Sequence, residues 1–212
     1  MLHVSAASRS MPLASPQTAE DLFGAVAGLN AEGVVESFSA ALARARRHLV
    51  DAVRCAAPGG THGDLCYHLH VGASLLFALL DGLAVFVEKK LAQPPTGGRI
   101  YWAGAATFLD PRFGRLRAIQ ERTASYALRG GITADTLRNF AKHYLPWIHL
   151  TSMGRDGSWD ARFPIGDDGS ASGPLLHGLL FPIFDDACEA CRELAHLCGV
   201  PCPQLPMQLA AP

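Results

Sequence analysis

Charge is scarce in this chain: Asp, Glu, Lys and Arg make up 17% of its 212 residues, and aromatic residues only 8%. A formal net charge of -1 supplies no global attraction for nucleic acid or an acidic membrane, so a polyanion would have to be met locally. No P-loop, G-x-S-x-G elbow or strand followed by G-x-G-x-x-G occurs. Their absence removes the usual signatures of nucleotide hydrolysis, serine acyl transfer and dinucleotide binding. No internal repeat is present. The first 18 residues hold neither a basic n-region nor an apolar h-region, and read as a flexible Ser/Ala/Pro leader. With no secretory signal, the expected setting is the cytoplasm. The six cysteines, Cys55, Cys66, Cys188, Cys191, Cys198 and Cys202, are then expected as reduced thiols.

Apolar residues are plentiful, at 49%, enough for one sizeable core. The expected organisation is the leader at 1–18, a single helical domain at 19–200 and a Pro-rich tail at 201–212. The longest apolar run, Val71 to Val87, carries Asp81 at its centre, which points to a buried helix and no membrane partner. Val35, Phe38, Leu42, Ala45, Leu49, Ala52 and Ala56 recur at steps of three and four, predicting a helix over about 32–56. Pro58-Gly59-Gly60 stops it. Leu69, Ala73, Leu76, Leu80, Leu83 and Val87 predict a second over about 64–91, ended by Pro94-Pro95 and antiparallel to the first. A connection over 94–111 leads to a third helix at about 112–129, stopped at Gly130-Gly131. Thr133 as N-cap, Asp135 in the first turn and Pro146 beyond the end predict a short fourth helix over about 134–144. Residues 146–174 are glycine-rich, with a hairpin expected around Arg155-Asp156-Gly157. The last helix spans about 175–198, with Pro182 kinking or restarting it and Gly199 just past its end. The predicted fold is therefore all-α: a four- to five-helix bundle with long antiparallel helices and an irregular or β-hairpin insertion before the last helix.

The few charges are unevenly placed. From Arg112 to Lys142 seven basic residues face two acids, and from Asp156 to Glu193 eight acids face two arginines, so the two segments are expected to pair across the fold. Asp81, on an arc with His70, Ser74 and Glu88, needs a partner; an arginine of the 112–142 segment is the expected one. Cys188-x-x-Cys191 with Cys198-x-x-x-Cys202 nominally suits zinc. Their position in and around a helix favours the reading as small buried hydrophobes. Glu193-x-x-His196 is a lone motif where a di-metal bundle needs two. No metal or cofactor is expected.

Against this background Leu137-Arg138-Asn139-Phe140-Ala141-Lys142-His143-Tyr144 stands apart. At roughly 100° per residue, Leu137, Phe140, Ala141 and Tyr144 share one side of a helix, and Arg138, Asn139, Lys142 and His143 the other. Arg138 and His143 diverge by about 140°, so they converge on one group only through a long reach or a second copy of the chain. Histidine can take a proton from a ribose 2′-hydroxyl or return one to a leaving 5′-oxygen. Arginine presents a planar fork to a phosphodiester. Asn139, Lys142 and Tyr144 are supporting or substrate-binding candidates, with Trp147 and His149 as possible base-stacking residues.

Arg138-Asn139 followed by His143 resembles the R-x(4-6)-H motif of the HEPN superfamily (higher eukaryotes and prokaryotes nucleotide-binding), helical bundles in which long helices precede the motif and another follows it. The resemblance implies a homodimer in which Arg138 and His143 of both protomers form a composite site that cleaves RNA without a metal. It also implies RNA as a substrate or ligand, and a toxin or defence role with a protein antitoxin as partner. Other members bind without cutting. A catalytically inactive helical interaction protein, or a ligand- or metal-binding bundle, are the alternative readings.

Overall fold

Asn30 and Thr61 start the two longest helices, α1 (Ala31–Ala56) and α2 (His62–Phe86), of a computed structural model. It describes residues 30–92, 100–128, 131–143, 151–164, 171–206 and 209, without the side chains of 140–143, 151–152, 161–164 and 171–174. The predicted leader lies outside these residues. Asn30 Oδ1 accepts from Gly33 N at 2.7 Å, and Thr61 Oγ1 accepts from Asp64 N at 3.2 Å. Each cap serves an N–H that no earlier turn can reach. Val35, Phe38, Leu42, Ala45, Leu49 and Ala52 are buried, as their spacing predicts. Gly72 faces Leu49 and Gly82 faces Phe38, so α1 and α2 run antiparallel. A Cβ on Gly72 would lie 3.1 Å from Leu49 Cδ2; its absence permits the close approach.

Residues His62–Leu91 are long and apolar enough to cross a membrane, but 67% of that stretch's most apolar window is buried within the protein. At its end the helix widens into a π turn, Val87–Leu91, where Ala92 N donates to Val87 O at 2.9 Å. Glu88 in this turn is fully buried, and among the described residues neither of its carboxylate oxygens has a hydrogen-bond partner.

The connection predicted over 94–111 is built, in its described part, from short 3₁₀ turns at Trp102–Gly104, Ala106–Leu109 and Pro111–Phe113. These lead into α3 (Gly114–Ser125). The helix predicted to reach about residue 129 ends earlier. Ala127–Leu128 (β1) instead pairs antiparallel with Ile132–Thr133 (β2), and Gly131 closes the turn at φ +76. Only glycine takes that conformation without strain, so Gly131 turns the chain between the two strands.

Next comes α4 (Ala134–His143). Thr133 Oγ1 accepts from Thr136 N at 3.3 Å, the predicted cap, and Leu137 is wholly buried. The glycine-rich excursion forms a three-stranded antiparallel sheet in the order β3 (Thr151–Met153), β4 (Trp159–Pro164), β5 (Ala171–Pro174). The expected hairpin is its first half, turning at Gly157 with φ +80; β5 is an addition. Trp159 fastens the sheet to the α1–α2 turn, stacking on His62 at 4.7 Å and donating from Nε1 to Gly60 O at 3.0 Å.

A second π turn, Leu176–Leu180, precedes α5 (Phe181–Leu197). Pro182 has no N–H to give, and the wider turn, in which Phe181 N bonds Leu176 O, lets the helix resume with Pro182 in its first turn. Gly199 follows at φ +65. The chain is thus a mostly α-helical bundle with a small β excursion before its last helix. The two oppositely charged segments do meet: Arg122 pairs with Asp186 at 2.6 Å and with Glu189, and Arg115 lies 3.3 Å from Glu193. In the tail, Ser39 Oγ donates to Gln204 O at 3.3 Å and Leu209 N to Asp185 Oδ1 at 3.3 Å.

Candidate functional site

The buried carboxylate of Asp81 decides where Arg138 goes. Midway along α2, Asp81 is only 6% exposed, and an unpaired charge there would cost several kcal/mol, on the order of 3–5 when a partner is removed. Leu137 seats α4 on the core, and the next residue turns its guanidinium onto α2. Arg138 Nε and Nη2 donate to Asp81 Oδ2 at 3.0 and 2.9 Å. The other carboxylate oxygen accepts from Trp102 N at 2.9 Å. One aspartate thereby ties together α2, α4 and the first 3₁₀ turn. The expected partner of Asp81 is Arg138 itself, the motif arginine.

The polar arc of α4 does not simply face solvent, because Arg138 is drawn into a cleft and its side chain is 16% exposed. Its Nη1 donates to Asn139 Oδ1 at 3.3 Å, and Asn139 Nδ2 donates to Asp135 Oδ2 at 3.3 Å. Asn139, expected as a supporting or substrate-binding residue, here holds the arginine. The Tyr101 ring lies 5.0 Å from the guanidinium carbon, adding a cation–π contact. Three of the five guanidinium N–H groups are engaged by Asp81 and Asn139. Two N–H groups, one on Nη1 and one on Nη2, make no bond to another described residue. His143 closes the helix five residues on. The side chains of Lys142 and His143, and all of Tyr144, Trp147 and His149, lie outside the described residues.

Beside the ion pair is a cavity of about 100 Å³, walled by Phe77, Leu80, Trp102 and Ala134 with Asp81 and Arg138 at its polar side. Gln120 and Thr123 of α3 also line it, and Gln120 Nε2 donates to Trp102 O. Sequence reasoning found Asp81 and Arg138 but missed Trp102, Tyr101 and Gln120. The one available signal was Gly104: a Cβ there would come within 2.6 Å of the Tyr101 ring.

The rival sites fare differently. Cys188 and Cys191 are fully buried, and burial pushes both thiols up to about 12. They fill space between the helices as small apolar groups. Glu193 is committed to Arg115. Among the described residues, no group of three or more His, Cys, Asp or Glu is arranged to hold a metal ion. A larger cavity of about 270 Å³ lies between Tyr126, His177, Phe181, Asp185 and Leu209, where burial raises the Asp185 pKa. It is remote in sequence from the motif and bounded on one side by the tail at Leu209. No protein-family model, curated protein or solved structure matches the chain.

Proposed function

We propose that the protein is a HEPN-like, metal-independent RNA-cleaving or RNA-binding protein acting as a homodimer, with Arg138 and His143 as its chemical pair. The observation that carries this reading is the fixed fork of Arg138. Asp81 and Asn139 hold the guanidinium by three hydrogen bonds, which removes its rotamer freedom before substrate arrives and leaves two N–H donors for a phosphodiester oxygen. His143, on the same helix, would take the 2′-hydroxyl proton. Attack of that oxygen on phosphorus forms a 2′,3′-cyclic phosphate as the P–O5′ bond breaks, and an imidazolium returns the proton to the leaving 5′-oxygen. Because the two residues diverge on the helix wheel, the histidine that completes each site would come from the second protomer. A toxin or defence role with a protein antitoxin belongs to the same reading, as does a cytoplasmic setting.

The test is product chemistry. Single-stranded RNA incubated with purified protein in EDTA should yield 2′,3′-cyclic phosphate ends, and His143→Ala should slow cleavage by about a hundredfold or more, the usual contribution of an acid–base group. Intact RNA with the wild type, or undiminished cleavage with the variant, refutes the catalytic reading.

One observation favours a second reading. Asp81 neutralises the Arg138 charge in place, as a purely architectural ion pair would. A catalytically inactive helical interaction protein that keeps the scaffold and the dimer surface fits that feature. It predicts a homodimer that neither binds nor cuts RNA.

A further inference from the structure

We propose that Tyr101 is a positioning residue for Arg138, setting the tilt of its guanidinium plane, and that Gly104 is the position that leaves the ring room to do so. The effect on rate rests on the ribonuclease reading; the geometry does not. The manner in which Asp81 holds the arginine makes a further constraint necessary. Both donors that reach it, Nε and Nη2, converge on the one oxygen Oδ2, at 3.0 and 2.9 Å, while Oδ1 is taken by Trp102 N. A guanidinium fork that grips two carboxylate oxygens has its plane fixed by them. Two bonds to a single oxygen fix its place but let it tilt about that oxygen, and the third bond, to Asn139 Oδ1, is long at 3.3 Å. The tilt decides where the two remaining N–H donors aim.

The Tyr101 ring supplies the missing constraint. Arg138 Cζ lies over it, 5.0 Å from its centroid, within the ~6 Å at which a cation is drawn to an aromatic face. Tilting the guanidinium would open that contact on one side and crowd it on the other. The ring is placed in turn by the same aspartate. Tyr101 immediately precedes Trp102, whose N donates to Asp81 Oδ1, and Gly104 N donates to Tyr101 O at 3.1 Å, closing the turn. One carboxylate therefore sets the arginine through Oδ2 and the backbone beside its aromatic neighbour through Oδ1. Gly104 completes the arrangement by what it lacks. A Cβ there would lie 2.6 Å from Tyr101 Cζ, 2.8 Å from Oη and 2.9 Å from Cε2. Gly104 is exposed and its φ is outside the left-handed region, so alanine costs the backbone little and acts on the ring.

Gly104→Ala should fold, yet displace Tyr101. Its kcat for RNA cleavage should fall about tenfold with KM little changed, as when a group is misaimed in the transition state. Tyr101→Leu should match it, and Tyr101→Phe, which keeps the ring, should restore most of the rate. In the Tyr101→Leu background Gly104→Ala should have no further effect, because the methyl acts only through the ring. The Arg138 Nε–H signal in a ¹⁵N–¹H spectrum, assigned by its loss in Arg138→Met, reads the geometry without RNA. It should shift in Gly104→Ala and Tyr101→Leu and stay near its wild-type position in Tyr101→Phe. A rate that follows only the folded fraction, a Phe variant as slow as the Leu variant, or an Nε–H signal that ignores both Gly104→Ala and Tyr101→Leu each overturns the proposal. If the wild type leaves RNA intact while the Nε–H signal shifts as described, the ribonuclease reading fails and the hold of Tyr101 on Arg138 stands. If cleavage is lost in Arg138→Met but unaltered in Gly104→Ala and Tyr101→Leu, the ribonuclease reading stands and this role for Tyr101 fails.

Discussion

Two arginines bind the helices of this bundle together, and they do so in different company. Arg122 of α3 spans to α5, where Asp186 and Glu189 both grip it and Thr123 Oγ1 completes the Asp186 carboxylate at 2.9 Å. Its pKa is driven further upward, first by the hydrogen bond to Asp186. Arg138 of α4 spans to α2, where it meets a single carboxylate and an aromatic face beside a cavity. The first cluster has more acid than its arginine needs, and works as a bolt between helices. The second is held firmly but left with donors to spare beside a space, which is the arrangement the proposed function requires.

Substitutions can break this contrast in order of size. Asp81→Asn leaves Arg138 half-buried without its counter-charge and should cost about 3 kcal/mol in chemical denaturation. The Asp81→Leu/Arg138→Met pair should recover most of that loss, because an apolar pair incurs no desolvation of charge. Additive losses in the double variant would mean that the two residues act independently. Arg122→Met strands the buried Asp186. The expected loss is roughly 2–3 kcal/mol, discounted because the Arg122 side chain is 42% exposed and water screens its share.

Glu88 tests the opposite case on the same helix. It is a buried carboxylate with no hydrogen-bond partner among the described residues, so Glu88→Met should raise stability by about 1–2 kcal/mol where Asp81 variants lower it. A lower melting temperature in Glu88→Met would show that the carboxylate has a partner in the folded protein.

The smallest effect is a pH dependence. His48 and His68 face each other with Nδ1 atoms 3.0 Å apart. Burial first, and then His68, hold the His48 imidazole below its ordinary value of 6.5. The unfolded chain therefore takes up this proton more readily than the folded one. Stability is fully present above pH 6.5 and declines as pH falls from there through the depressed folded value. Denaturation midpoints measured across that range should flatten in His48→Gln, and an unaltered slope would remove His48 as the cause.

Much of this was written locally in the chain. The leucine spacing of α1 and α2, the Thr133 cap, the turn at Gly157 and the stop at Gly199 depend on neighbours a few residues away. Asp81 announced its need for a cation, since a carboxylate in so apolar a run has few alternatives. Which arginine answers is not local: it depends on how α4 seats through Leu137, so that residue 138 rather than a neighbour faces α2. The β1–β2 hairpin escaped because two-residue strands carry almost no periodic signal. Trp102 and Tyr101 escaped for a related reason, lying at and just before the start of a 3₁₀ turn whose irregular backbone leaves no face to read.

The two arginines also supply the most direct test of the central claim, that Arg138 is held for chemistry and Arg122 for architecture. RNA cleavage rates of Arg138→Met and Arg122→Met would be compared at a temperature where circular dichroism shows both folded. Arg138→Met should lose about a hundredfold or more in rate, as expected for a removed transition-state donor. Arg122→Met should melt earlier yet cut at close to the wild-type rate. If the two variants lose stability alike and cleavage follows only the folded fraction, Arg138 is a second bolt and the account is wrong.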